Sequence, residues 1–353
     1  VDSAEPSHAM WDMGRLVRSN DGLTAEFEKG ITGLIDRLLQ SESPEASEFS
    51  KAFEHFIYEY GSRGPNEWEA RSPSWETRPE LALNAIDRMR LAGDELAPKT
   101  QNAERATQRE QAATELLSMV EADPEVHGEL AVGIAASAAW LPARERTKTN
   151  NIRLIHEMRM IMRAIGARMV EKNAFDEIED FGFVTEEEYA SLFKEPTSML
   201  NIIRSRRDEY YKLLEREAQF LFDGQADHPD TWRRRDAVSE DVLAEGEALQ
   251  GMPGCTGSAE GTARVILDSN DPTSLQPGDI LVAPLTDPSW TPLFVPAAAV
   301  VVDVGAPLSH AIIVSRELGI PCVVSATDAT RRIPDGARIN VNGDTGVITV
   351  LEV

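Results

Sequence analysis

The chain has 353 residues and carries a formal net charge of -25 at pH 7, with a sequence pI near 4.6. That length supports two or more cores, while so acidic a surface repels nucleic acid and anionic membranes. No apolar run approaches a bilayer span and no basic-then-apolar leader opens the chain. The expectation is a cytoplasmic protein with no nucleic-acid and no membrane partner. Val1 is not an initiator methionine, so a fragment of a longer protein is expected, with a separate subunit as the alternative.

From Ser7 to about Leu249 the chain reads as helix after helix. Residues 23–39, LTAEFEKGITGLIDRLL, repeat apolar side chains at three and four. Residues 45–61 do the same and stop at Gly61. The longest clean stripe is NNIRLIHEMRMIMRAIGARMV at 150–170, and 199–222 follow it. Polar, proline-bearing joints separate these segments. His156 falls within the long stripe, where a core or interface role is expected.

After Leu249 the pattern changes. Glycine rises, and short β-branched runs (TARVILD, DILVAP, AAVVVDV, PCVVS, ARINVN, GVITV) alternate with turns at Pro277-Gly278, Pro334-Asp335-Gly336 and Asn342-Gly343-Asp344. One helix, about Ala311 to Leu318, interrupts them. The fold class read here is α plus α/β: a mainly helical domain over residues 1–245, then a compact β/β/α domain over 246–353. Cys255 and Cys322 suit a reducing compartment and have no metal-ligand spacing, nor does any histidine pair. No metal site is expected in this chain.

His310 stands out. Gly305-Ala306-Pro307 turns the chain off a strand, Ser309 stands where an N-cap belongs, and His310 falls in the first helical turn. Helix N-termini offer unpaired N–H groups and a partial positive charge, an environment that stabilises an anion. A neutral imidazole is also a nucleophile at physiological pH. Taken alone, such a histidine is more often a cap or a packing residue. Arg144 and Lys148, four apart, share one helix face; taken alone, they read as a solvated face paired with Glu145.

SHAIIVSRELGIPCVV, residues 309–324, resembles the phosphohistidine signature of the swivelling domain in phosphoenolpyruvate-utilising enzymes. GSAEGTARVILD (257–268), GDILVAPLTDPSWTPLFVPAAAVVVDVG (278–305) and IPDGARINVNGDTGVITV (333–350) resemble the flanking strands of that domain, in order. The resemblance maps the phosphorylated histidine onto His310. Within the family the chain most resembles the rifampicin-phosphotransferase type of dikinase. YEYGSRGPNEWEARSPSWETRP (58–79), ARERTKTNNIRLIHEMRMIMRAIG (143–166) and FDEIEDFGFVTEEEY (175–189) are looser matches to its helical domain. Two departures stand near the histidine. Ala306 replaces the second of two glycines, which could restrict the loop. Leu308 replaces a threonine, as in that same branch.

The resemblance implies a phosphotransferase in which ATP phosphorylates His310 on an ATP-grasp domain or subunit outside this chain, where Mg²⁺ is also bound. The small domain then swings on a linker near residues 237–250 and passes the phosphoryl group to a hydroxyl of a small organic substrate. It further implies Arg144 and Lys148 as acceptor-site cations. Arg63, Glu67 and Trp68 are weaker substrate-site candidates, Trp75 and Trp11 candidate cavity walls, and Gly305 and Ser309 parts of the loop at the helix mouth. Arg63 and Glu67 could equally pair with each other in a turn held by Gly64-Pro65. Two other readings stand beside this one. The chain could be a phosphocarrier or regulatory module that passes phosphate to a protein, or a binding protein without catalysis, in which His310 is buried.

Overall fold

A computed structural model describes residues 5–94, 97–219, 222–235, 241–268 and 275–353. Of the expected linker at 237–250, residues 237–240 lie outside the described residues. Two compact units are present. One holds the described residues up to Glu67, Ser72–Arg153 and those from Asp241 onward; the other holds Trp68–Arg71 and those from Leu154 to 235.

Two helices of the first unit begin where the sequence supplies a side-chain cap. After α1 (Glu5–Arg18), the Asn20 side chain accepts the Leu23 N–H and opens α2 (Asp21–Glu28). Ser43 accepts the Ala46 N–H and opens α4 (Pro44–Tyr60), with Pro44 in the first turn. The stripe at 23–39 is not one helix. Gly30 and Gly33 take φ of 98° and 68°, outside helical space, so α3 (Leu34–Leu39) starts afresh. Then come α5 (Glu80–Leu91), α6 (Pro98–Met119) and α7 (Pro124–Glu171). The last is a 48-residue helix that runs through Pro142 and contains the stripe read at 150–170.

Met10, Met13 and Val17 point one face of α1 into a core with Phe49, Phe56, Trp75 and Ile86. Aromatic rings carry much of the packing: Phe27 meets Phe49 edge-on at 5.4 Å and Phe56 meets Trp75 at 5.4 Å.

The same unit holds an eight-stranded sheet built from β1 (Ala248–Gln250), β2 (Met252–Cys255), β3 (Ser258–Val265), β4 (Ile280–Ala283), β5 (Ala299–Val302), β6 (Cys322–Val324), β7 (Arg338–Asn342) and β8 (Val347–Glu352). Their order is β1-β8-β7-β3-β4-β5-β6-β2. Strands β3, β4, β5 and β6 run parallel, and antiparallel strands flank them. Every residue of β4 and β5 is buried, as expected of a parallel centre covered on both faces.

The two-residue period sorts these side chains. Leu281, Ala283, Val300 and Val302 share a core with α1, α4, α5, α10 (Thr291–Phe294) and α11 (His310–Leu318). Ile280, Val282, Ala299 and Val301 face α12 (Ala329–Arg332), β7 and β8. The helical region and the sheet therefore share one continuous apolar core, with α10 packed on α1 and α5.

In the second unit the end of α7, α8 (Tyr189–Lys194) and α9 (Leu200–Leu214) enclose Met169, Phe175, Phe181, Leu192 and Ile203. Arg204 and Arg207 bind Asp176 at 2.6 and 2.8 Å and hold its carboxyl well below the usual range. The Arg71 guanidinium lies 4.2 Å from the Phe183 ring and 4.6 Å from Tyr210. His156 is buried, and its Nδ1 accepts from Arg159 Nη1 at 2.9 Å.

The turn after β7 is the tightest fit in the sheet. A Cβ on Gly343 would lie 1.9 Å from the Cys255 carbonyl oxygen, whereas one on Gly128 of α7 would meet nothing. Gly343→Ala is expected to cost about 1–3 kcal/mol. Gly128→Ala should gain up to about 1 kcal/mol. Urea midpoints with an unchanged m-value check both.

Candidate active site

Parallel strands present their carboxyl ends at one edge, and loops leaving there can converge on a ligand. Here the loop after β4 carries Thr286 and Asp287, and the neighbouring loop after β5 carries His310. Gly305 starts the second loop where a Cβ would lie 2.6 Å from Val324 Cβ of β6, and its carbonyl accepts from Ser325 Oγ at 2.7 Å. Glycine is therefore required at 305. Ala306, the departure noted in the sequence, is exposed, and its carbonyl accepts the Ser309 N–H at 2.8 Å. Ala306 is not among the residues with positive φ, so the alanine imposes no left-handed strain on the loop.

Ser309 occupies the N-cap of α11, and its carbonyl accepts from Ile313 at 3.0 Å. Its hydroxyl does not cap; it is buried with no hydrogen-bond partner among the described residues.

His310 is half-buried in the first turn, with Phe294 edge-on at 5.7 Å. Nε2 lies 3.0 Å from Thr291 Oγ1, and Nδ1 lies 3.1 Å from Thr286 Oγ1. A neutral ring has one N–H and one lone pair, so one threonine accepts while the other donates. Burial, then the nearby Lys148 and Arg63 cations, push the imidazole pKa well below 6.5.

The helical region supplies the opposite wall through the turn Arg63-Gly64-Pro65-Asn66-Glu67. A Cβ at Gly64 would lie 2.7 Å from the Pro73 carbonyl oxygen, so glycine lets the turn close against 73–76. The Arg63 carbonyl accepts the Trp75 N–H at 2.8 Å, and the Gly61 carbonyl accepts the Glu76 N–H at 3.0 Å. Arg63 Nε donates to Glu67 Oε2 at 2.6 Å, with both side chains buried. Lys148 Nζ reaches Glu67 Oε1 at 3.1 Å, and Arg63 Nη1 reaches Thr149 Oγ1 at 3.3 Å. Two cations against one carboxylate leave net positive charge facing the imidazole.

His310, Arg63, Glu67 and Lys148 thus come together. Arg144 lies one turn before Lys148, half-exposed and bound to Glu145. Trp68 is exposed and belongs to the second unit. Trp11 and Trp75 are not cavity walls; both are packed into the core, Trp11 under Arg15 and Trp75 against Phe56. The expected acceptor cavity thereby loses two of its three aromatic candidates.

Sequence reasoning passed over Thr286, Asp287 and Thr291, although TDPSWT is a polar island between two fully apolar strands. Among the described residues no group of three or more His, Cys, Asp or Glu is placed to hold a metal ion, and no helix is long and apolar enough to cross a membrane.

The lowered imidazole pKa has a measurable consequence. Below about pH 6.5 the unfolded chain protonates this histidine while the folded chain does not, so stability falls with pH until the folded value is reached. Asp287 acts oppositely at lower pH, because burial and Glu67 raise its carboxyl above 3.8. The Tm of His310→Gln should therefore fall less than that of the wild type between pH 7 and pH 5; equal slopes would exclude a neutral, buried ring.

Comparison with known proteins agrees with this geometry. Residues 1–145 match the rifampicin phosphotransferase fourth domain, and residues 275–346 match the mobile domain of PEP-utilising enzymes. The chain is 32% identical over 99% of its length to a rifampicin phosphotransferase of Streptomyces sviceus, covering 40% of that protein. It is 29% identical over 99% to one from Bacillus cereus, again covering 40%. It is 28% identical over 99% to an uncharacterised phosphotransferase of Bacillus subtilis, covering 42%. The chain thus spans about 40% of the length of the curated relatives it matches. With the mobile-domain match placed over the loops that hold His310, and the fourth-domain match over those that hold Arg63 and Glu67, the chain belongs to the PEP-utilising enzyme family, on its rifampicin-phosphotransferase side.

Proposed function

We propose that this chain is the phosphotransfer portion of an ATP-dependent dikinase that relays a phosphoryl group through His310. The observation that carries the reading is the placement of His310 in the first turn of α11, its two ring nitrogens 3.0 and 3.1 Å from the Thr291 and Thr286 hydroxyls, near the Lys148 and Arg63 cations that lower its pKa. In the first step an imidazole lone pair attacks phosphorus of the ATP-derived donor, a P–N bond forms, a P–O bond breaks with its electron pair leaving on the donor oxygen, and the ring N–H proton passes to that leaving group. In the second an acceptor hydroxyl attacks, the P–N bond breaks, and the imidazole recovers the electron pair and takes the hydroxyl proton.

ATP and Mg²⁺ belong to an ATP-grasp domain or subunit outside these residues, in the cytoplasm where ATP is supplied. Residues 246–353 act as the carrier, and residues 1–245 hold the acceptor. Lys148 and Arg63 offset phosphoryl charge during transfer, with Arg144 one turn away. The Ser309 hydroxyl, buried and unpartnered among the described residues and adjacent to His310 in the chain, would serve as a donor to a phosphoryl oxygen.

A second reading, a phosphocarrier that serves a protein, is favoured by exposed apolar residues on α6 and α7: Met119 is 80% exposed, Val132 69% and Trp140 73%.

The test uses the full-length protein, or this chain with its ATP-grasp partner. Incubation with β-³²P-ATP is expected to leave acid-labile label that γ-³²P-ATP does not leave and that His310→Ala lacks. No label while ATP is demonstrably turned over would overturn the relay. Rifampicin, the acceptor in the relatives' names, is the first acceptor probe, followed by other alcohols and phenols.

Lys148→Ala separates transfer from loading. It leaves the buried Arg63–Glu67 pair intact, whereas Arg63→Ala removes the closer of the two cations paired with a buried carboxylate. Lys148→Ala should label normally and pass phosphate on roughly 100-fold more slowly in rapid-quench single turnovers. Should transfer proceed at the wild-type rate to a protein and not to small hydroxyl compounds, the carrier reading replaces the enzyme reading.

A further inference from the structure

A swinging carrier must be held while it reacts and then released, so the contacts across the docked face are where control resides. Much of that face is apolar and undirected: α10 packs on α1 and α5 within one shared core. A directed polar contact is also present. Asp287 Oδ2 accepts the backbone N–H of Asn66 at 3.0 Å. Asp287 Oδ1 accepts the Ser289 N–H at 2.8 Å and the Ser289 hydroxyl at 2.5 Å, which fixes the carboxylate orientation. Asn66 takes φ of 48°, a left-handed backbone, in the turn that presents this N–H to Asp287. Asparagine tolerates this conformation and β-branched residues do not.

Each side of this bond leads directly to the chemistry. Asp287 lies between Thr286 and Thr291, which hold the two nitrogens of His310. Asn66 adjoins Glu67, which binds Arg63 and Lys148. One hydrogen bond thus joins the segment that orients the nucleophile to the turn that orients the cations.

We propose that the Asp287–Asn66 bond is the latch that docks the carrier on the acceptor side, making Asp287 a positioning residue for phosphoryl transfer. The need for a latch rests on the relay reading, but the latch itself can be tested without ATP or an acceptor.

Hydrogen exchange by mass spectrometry on this chain reads docking at the 61–67 peptide, and diethyl pyrocarbonate reads access to His310. A hydrogen bond to a carboxylate is worth enough to shift docking about tenfold or more. Asp287→Ala is therefore expected to speed exchange at 61–67 and acylation of His310 by at least about tenfold, while 338–352 stay protected. Asn66→Val, which leaves the Asp287–Ser289 bonds in place, should produce the same pair of changes. Asn66→Gly keeps the N–H and relieves the left-handed backbone, so it should match the wild type. Ser289→Ala tests whether loss of the local bond alone suffices.

Wild-type exchange and acylation in both Asp287→Ala and Asn66→Val would overturn the latch, as would Ser289→Ala reproducing their effect. Should Asp287→Ala also expose 338–352, the carrier itself has unfolded and Asn66→Val decides. Absence of labelling from ATP would defeat the relay and leave these measurements standing.

Discussion

Everything at this site depends on holding a neutral imidazole against positive charge. A phosphoryl acceptor nitrogen needs its lone pair, and a phosphoryl group in transit needs cations. In water these demands compete only weakly. In a half-buried site they reinforce each other, because burial and the Lys148 and Arg63 charges all drive the proton off His310. The field that would stabilise the travelling group is the same field that keeps the ring neutral at this site. Glu67 limits it: without that carboxylate, Arg63 would be a buried, uncompensated cation, which is far more costly than the pair.

The scaffold meets this demand through two rigid edges. On one side, adjacent parallel strands, buried on both faces, release the Thr286 and His310 loops at their carboxyl ends, so the two loops share a register fixed by the sheet. Gly305 lets the second loop lie on Val324, and the αL cap at Gly319 ends α11 one turn past Ser315. On the other side, the 61–67 turn is closed by backbone bonds to 75 and 76 and could not close with a side chain at Gly64. Two polar surfaces, each stiffened by its own apolar core or backbone ladder, then need only a few directed contacts to align.

Much of this was legible in the sequence. The change in glycine content and β-branched runs located the sheet region, and the motif around His310 located the reactive edge. The Arg63–Glu67 pairing was one of two readings that the turn offered. Less legible were the features that depend on distance through space. Thr286 and Thr291 are unremarkable as threonines; their meaning comes from β4 and β5 being neighbours, which no local pattern states. Trp11 and Trp75 looked like cavity walls because aromatic residues near a candidate site carry no label for core or surface. The 23–39 stripe kept its helical period across two glycines whose backbone leaves helical space. Pro142 sits inside a helix that continues through it, against its local propensity.

The occupancy of the two ring nitrogens sets the order of events on the relay reading. Both are within hydrogen-bond distance of a threonine hydroxyl in the docked arrangement, so neither is open to a phosphoryl donor there. Loading must therefore take place after the carrier has left, with at least one threonine disengaged from the ring. A phosphorylated His310 returning to this site would have to displace a threonine hydroxyl. That hydroxyl would lose its ring partner and gain a phosphoryl oxygen as acceptor, alongside the Ser309 hydroxyl that already lacks one. Delivery restores the original bonds to nitrogen. On the relay reading a threonine hydroxyl thus exchanges a ring nitrogen for a phosphoryl oxygen when the carrier is loaded and reverses the exchange on delivery, so it has a partner in both states.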